Sequence, residues 1–490
     1  MQAVAPDSVT VTVGTELWYG SSDFAPHYIA ANRYGTLTMS RGAVVSAGIG
    51  SELNRSRRFD YAFGAEVAAG YRSGADYDRY FADTQSWGSN FQRPRAIRLQ
   101  QLYGELKWRS LFLSAGMKER GSAMLDNRLS SGDLTHSANT RPIPQVRAGF
   151  LDFTDIPLTR GELQIEGVIA YGKFADDSWW RSHFNYYHGE ITSSTFYLYR
   201  RLYFRTSPRH RLNVTFGVQS AGQFGRVSRH YFDGKLTHTD VDKAKFVDFF
   251  KILVPASGED FVYGNTLGSW DLKARWNINA SSSVAAYFQW PWEDGSGMAK
   301  RNGFDGLYGL EYKSNVENAI ISGAVVEYLD LTNQSGPVHW DPGDHPGSPI
   351  VSEARGADDY YNNAYYNSYA YFGQTIGTPM VMGPIYNTDG YLAMIANRVR
   401  GIHIGAEGNV VSGLNWRLLA GWRKAYGNGY EPLLEPITSF SAMAEARWRP
   451  KTLSGLTLTL QAAFDRGKLP GNSTGVAVGG SFTTYIFSKR

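Results

Sequence analysis

Apolar residues recur at every second position over long stretches of this chain, and that rhythm leaves few folds open. In 456–465, Leu456, Leu458, Leu460, Ala462 and Phe464 alternate with Thr457, Thr459, Gln461, Ala463 and Asp465. In 270–278, Trp270, Leu272, Ala274, Trp276 and Ile278 alternate with Asp271, Lys273, Arg275 and Asn277, and 416–423 repeats the pattern around Trp416, Leu418, Ala420 and Trp422. Such alternation places one set of side chains on each face of a β-strand.

Two architectures use strands of this kind. A soluble sandwich turns the apolar set to a core and the polar set to water. A membrane barrel turns the apolar set to lipid and the polar set to a hydrated lumen. The connections separate the two. Strands are expected near 9–20, 36–52, 60–73, 95–107, 110–119, 146–153, 161–174, 194–206, 209–220, 267–278, 282–292, 304–314, 318–331, 401–411, 414–425, 438–449, 455–465 and 475–487. The gaps between these eighteen segments alternate long and short, from the brief Trp108-Arg109 and Ser412-Gly413 to the long stretches 120–145, 221–266 and 332–400. Short turns on one rim, long loops on the other and an even strand count fit an outer-membrane barrel, which also leaves no exposed sheet edge. Trp18, Tyr19, Trp108, Trp290, Trp292, Trp448, Tyr485 and Phe487 lie toward strand ends and are expected in interfacial girdles. The expected fold class is therefore all-β: one antiparallel transmembrane barrel of about eighteen strands with long extracellular loops and a small helical plug.

Composition removes other classes. With 31 Tyr, 26 Phe, 13 Trp and 53 Gly in 490 residues, the chain suits strands and turns, and the absence of Cys excludes disulfides and thiol chemistry. A net charge of +4 with no basic stripe argues against a nucleic-acid partner. No apolar run approaches the roughly eighteen residues a spanning helix needs. The opening Met1-Gln2-Ala3-Val4-Ala5-Pro6 lacks a signal peptide's charged start and apolar core, so an exported mature form is expected.

One segment departs from period two. Phe246, Phe249, Phe250 and Leu253 fall at i, i+3, i+4 and i+7, so a helix is expected over 240–254, capped by Asp240 or Asp242 and ended by Pro255, folded over the barrel mouth. Arg417, Arg423, Glu407, Glu445 and Arg447 are expected to form lumenal cross-strand ion pairs.

The long loops carry a family resemblance. Leu129 through Gly149 (LSSGDLTHSANTRPIPQVRAG), Gln334 through Pro337, Asp358 through Asn363 (DDYYNN), Gly373 through Pro379 (GQTIGTP) and Asn397-Arg398-Val399 resemble, in order and spacing, the capsule-assembly Wzi family of outer-membrane polysaccharide-binding lectins. The Tyr-Tyr-Asn-Asn style of the last long loop resembles Bacteroidetes-type members. The resemblance implies an eighteen-stranded barrel with an external helical cover that attaches surface polysaccharide to the cell. No glycan-binding residue transfers from the family position by position.

Sugar recognition needs flat aromatic faces and fixed amides or charges. Trp292, Trp340, Tyr360, Tyr361, Asn362, Asn363, Tyr365 and Tyr366 offer these and are the candidate carbohydrate-binding set, although the same tract also suits the interior of a plug. Glu293 and Asp294 are adjacent and so point apart, which speaks against a hydrolase pair. His339, Asp341, Asp344 and His345 have metal-ligand chemistry but equally spell a polar turn, and no metal or other cofactor is assigned. Neither a nucleophile elbow nor a phosphate-binding loop is present. The expected function is a non-enzymatic outer-membrane lectin that anchors or assembles capsular-type polysaccharide, the alternative being a carbohydrate-selective porin. Expected partners are the polysaccharide, outer-membrane lipid and other envelope proteins, with the loops 120–145, 221–266 and 332–400 forming the plug or binding face.

Overall fold

The computed structural model describes residues 8–253, 264–293 and 295–488. Eighteen strands form one closed antiparallel barrel. The first nine are β1 (Ser8–Phe24), β2 (Met39–Gly50), β3 (Phe59–Arg72), β4 (Ile97–Trp108), β5 (Leu111–Met117), β6 (Gln145–Phe150), β7 (Leu163–Lys173), β8 (Phe196–Thr206) and β9 (Leu212–Phe224). The rest are β10 (Asn265–Asn277), β11 (Ser282–Trp292), β12 (Gly306–Ser314), β13 (Gly323–Asp330), β14 (Val399–Val411), β15 (Leu414–Gly427), β16 (Pro432–Trp448), β17 (Leu456–Gly467) and β18 (Ser473–Ser488). β6 is interrupted and resumes as Thr154–Asp155, still paired with β7. Each strand pairs with its neighbours in sequence, and β1 pairs with β18 from Ser8↔Ser488 to Gly20↔Gly475, which closes the ring.

The faces of the strands decide between sandwich and membrane barrel. Leu272, Trp276, Ile404, Leu418, Leu460 and Phe464 are exposed on the outside, whereas the alternating Asp271, Lys273, His403, Arg423, Gln461 and Asp465 are buried inside. A wall with its apolar set exposed is stable only against lipid, and a closed barrel satisfies every wall hydrogen bond there. The chain is a transmembrane barrel of the bacterial outer membrane. Trp108, Trp448, Tyr485 and Phe487 stand exposed near the short-turn rim, as girdle residues should. Trp18 does not: it faces inward and is buried, donating its indole N–H to the Met39 carbonyl at 2.7 Å, while its neighbour Tyr19 takes the outward position. Trp292 is buried as well, although it shares the side of β11 that carries Trp290, its ring lying over Gly268.

Within the barrel the long loops fold back into the lumen. Residues 25–38, with the helical turn His27–Ala30, and residues 118–144 descend between the walls. Gln100 of β4 donates to the Tyr34 carbonyl, while Ser130 donates to Glu327 of β13, half a circumference away. Asp133 accepts from Gln219 of β9 and Gln289 of β11, and Lys273 of β10 donates to the Met124 carbonyl. Arg128 reaches the short-turn half of the lumen and pairs with Glu407 and Glu445. Glu445 also pairs with Arg417, directly opposite on β15, and with Arg447. The expected lumenal ion pairs thus include the plug itself as a partner. Arg423 pairs differently, donating to the carbonyls of Pro379, Met380 and Leu469.

The expected helix over 240–254 is corrected. Residues up to Asp242 belong to a strand, Lys235–Asp242, which pairs with Arg226–Phe232 in a three-stranded sheet outside the barrel. Helical geometry is confined to Asp248–Lys251, and Val254 and Pro255 lie outside the described residues. The reason is packing: Phe249 meets Phe196, Phe224 and Tyr171 of the barrel wall, but Phe246 and Phe250 are exposed and pair only with each other. The i, i+3, i+4, i+7 set therefore never buries one continuous face, and cross-strand pairing takes residues 240–242 instead.

Candidate functional site

The resemblance motifs converge inside the mouth of the barrel. Ser137 donates to the carbonyls of Ile376 and Gly377, Asn139 to Thr375 and Thr378 to Ser131, so the 129–149 and 373–379 blocks pack on one another. Gly377 allows this contact, because a Cβ there would lie 2.5 Å from the Leu134 carbonyl oxygen and 2.6 Å from the Tyr361 hydroxyl. A second junction joins the other blocks. Asn397 donates to Asp359 Oδ1 and to the Tyr360 carbonyl, both at 2.6 Å, and receives Gln334 Nε2 at 3.3 Å.

Above this floor lies an open cavity of about 520 Å³, lined by Asn265, Glu293, Asp358, Asp359, Asn362, Asn363, Asn428, Tyr430 and Glu431 among others. Its polar groups are held firmly. Asn362 exchanges two hydrogen bonds with the Met394 backbone, at 2.8 and 3.0 Å. Glu293 accepts the Tyr361 N–H at 2.6 Å, which commits that carboxylate to the loop backbone; Asp294 lies outside the described residues. Burial pushes the Asp359 carboxyl above its ordinary range, opposed by hydrogen bonds from the Asn397 and Asn362 amides. Rigid amides and carboxylates around one exposed aromatic ring, Tyr430, form the donor–acceptor set that sugar hydroxyls require.

No family model matches this chain, and no curated protein matches it in sequence. Solved structures do. The Escherichia coli outer-membrane protein Wzi, a carbohydrate-binding β-barrel involved in group 1 capsule assembly, superposes with a TM-score of 0.54 at 11% identity, over 96% of this chain and 84% of that one. Acinetobacter baumannii OccAB4 matches with a TM-score of 0.46 at 11% identity, over 98% of each chain. Pseudomonas aeruginosa OprD matches with 0.44 at 10% identity, over 98% of this chain and 95% of that one. The shared feature is the fold of an outer-membrane barrel.

Of the eight residues expected to meet sugar, only Asn362 and Asn363 line the cavity. Tyr360 and Tyr361 are buried beneath it: Asn302 Nδ2 donates to the Tyr360 hydroxyl at 2.9 Å, and the Tyr361 hydroxyl donates to the Leu134 carbonyl at 2.6 Å. Trp292 is buried with its ring over Gly268. Tyr365 and Tyr366 stand to the side, Tyr365 exposed with the Arg226 guanidinium 4.3 Å from its ring centre. Trp340 stacks on His345 at 3.9 Å in a separate hairpin, Val338–Trp340 with Ala354–Arg355. His339 packs on Tyr430 at 4.5 Å, so the 339–345 histidines are each taken up by an aromatic ring. Tyr430, with Asn428 and Glu431, is the part of the cavity that sequence reasoning missed. Its signal was an aromatic set in an Asn-Gly turn, Asn428-Gly429-Tyr430, in a loop, where exposed rings often serve binding.

Proposed function

We propose that this protein is a non-enzymatic outer-membrane lectin that holds a surface polysaccharide of capsular type in the cavity ringed by Asn362, Asn363 and Tyr430, in the manner of the capsule-assembly family its loop motifs resemble. The observation that carries the reading is the inserted chain. Residues 118–144 touch walls on opposite sides of the lumen, Glu119 accepting from Gln100 of β4 and Ser130 donating to Glu327 of β13, and are tied to Glu407 and Glu445 through Arg128. A barrel so filled is suited to present a rigid outer face rather than a passage. Two carboxylates of that face, Glu293 and Asp359, serve backbone and amide groups, which suits binding rather than proton transfer.

The porin alternative has one observation in its favour. A chamber of about 400 Å³ remains within the lumen, lined by Arg33, Arg72, Arg98, Arg128, Glu66 and Glu119 among others. Planar-bilayer recording separates the two readings: the lectin is expected to give no steady conductance, and large sugar-blockable openings would overturn it. In parallel, Asn363→Ala combined with Tyr430→Ala is expected to weaken binding of the host's surface polysaccharide about tenfold, the loss of one hydrogen bond and one ring contact. Unchanged binding by this folded double variant would remove the cavity from the reading.

A further inference from the structure

Outside the barrel, the sheet formed by Gly189–Ser193, Arg226–Phe232 and Lys235–Asp242 sets His230 directly across from His238. Their imidazoles lie face to face, 3.8 Å apart and 7° from parallel. Both Nε2 atoms turn to one carboxylate oxygen, Asp240 Oδ2, at 3.1 Å from His230 and 3.8 Å from His238. We propose that His230, His238 and Asp240 bind a divalent transition-metal ion, with Zn²⁺ the ion whose donor preference fits best.

The argument rests on how the outer partners aim the rings. Thr237 Oγ1 donates to the His230 carbonyl at 3.1 Å and lies 3.2 Å from His238 Nδ1. His230 Nδ1 faces Glu190 Oε2 at 3.4 Å. With each Nδ1 so partnered, both Nε2 atoms are left to converge on Asp240 Oδ2, and His230 Nε2 is within hydrogen-bond distance of it. A divalent ion in place of the proton shared there would satisfy all three donors at once. The donor atoms lie within 4.8 Å of one another, so a small splaying of the rings brings them to one centre. Two imidazoles and a carboxylate, with each remaining ring nitrogen held by an outer partner, is a zinc donor set with its orienting groups in place. His238 is exposed, which leaves the fourth position to water.

The test uses the full-length, tag-free barrel in detergent, stripped with chelator and dialysed against ZnCl₂, with bound metal measured by elemental analysis. One Zn²⁺ per chain is expected, and Co²⁺ in its place should give the intense visible bands of a four-coordinate site. His238→Ala and Asp240→Asn should bring the stoichiometry close to zero, with the barrel's heat-modifiable gel mobility unchanged. Thr237→Val, which removes the hydroxyl that partners His238 Nδ1 and bonds the His230 carbonyl, should weaken Zn²⁺ about tenfold. His345→Ala should bind as the parent does. Failure of the parent protein to retain Zn²⁺ or Co²⁺, or full retention by His238→Ala, would overturn the assignment.

Discussion

At the residue scale, an exacting position is a glycine on the inner wall. Gly405 of β14 lies where the plug passes, and a Cβ there would sit 2.3 Å from the Leu129 carbonyl oxygen. That contact is with backbone, so no side-chain rotation relieves it. Gly405→Val is therefore expected to leave the barrel intact but displace residues 128–131, read as open-channel events in bilayers that the parent lacks. A second residue sets a pH dependence. Asp176 is buried just before the helix Asp177–His183 and accepts the Phe372 N–H at 2.7 Å. Burial pushes its carboxyl up to about 7. The docked loop holds this proton more tightly than a released one, so docking is strongest below the ordinary carboxylate pKa of about 4 and weakens as pH rises through about 7. Hydrogen exchange at Phe372 and Gly373, corrected for intrinsic rate, should show more protection at about pH 5 than at about pH 8. Asp176→Asn should remove the difference.

At the scale of elements, all eighteen wall strands were legible, because a two-residue period is local and each strand repeats it against lipid. The loops were not legible in the same way. Tyr360 and Tyr361 carry the composition of a sugar platform, yet they are buried by contacts with Asn302, Leu134 and Asn397, which lie far away in sequence. Nothing local distinguishes an aromatic that faces a glycan from one that floors the cavity. The helix over 240–254 failed for a related reason: the sheet partner of residues 240–242 is the strand Arg226–Phe232, and a helical period cannot reveal a cross-strand partner. The plug loop behaves as a unit through its wall anchors. Replacing residues 122–139 by a flexible Gly-Ser linker should give a folded barrel with persistent conductance, whereas Arg128→Ala alone should give brief openings.

At the scale of the whole molecule, stability depends on an outer surface that water would not tolerate. Leu418 stands exposed between Trp416 and Trp422 along β15, within the apolar band. Leu418→Arg is expected to cost about 2–4 kcal/mol, measurable as a lower midpoint of urea unfolding in lipid vesicles. An inward change such as Gln461→Asn should cost less, since it keeps a polar group among polar partners.

The seam between β1 and β18 also imposes an order of events on assembly. The two strands that meet there are the first and last to be made, while the segments that occupy the lumen, 25–38, 118–144 and 331–398, are all encoded between them. Arg128 ends deep in the short-turn half, in contact with β14 and β16. A chain segment seated that far down is most readily enclosed by a wall that wraps around it. Zipping of the seam is then a commitment step, and whatever has not gathered inside beforehand must afterwards enter through the mouth.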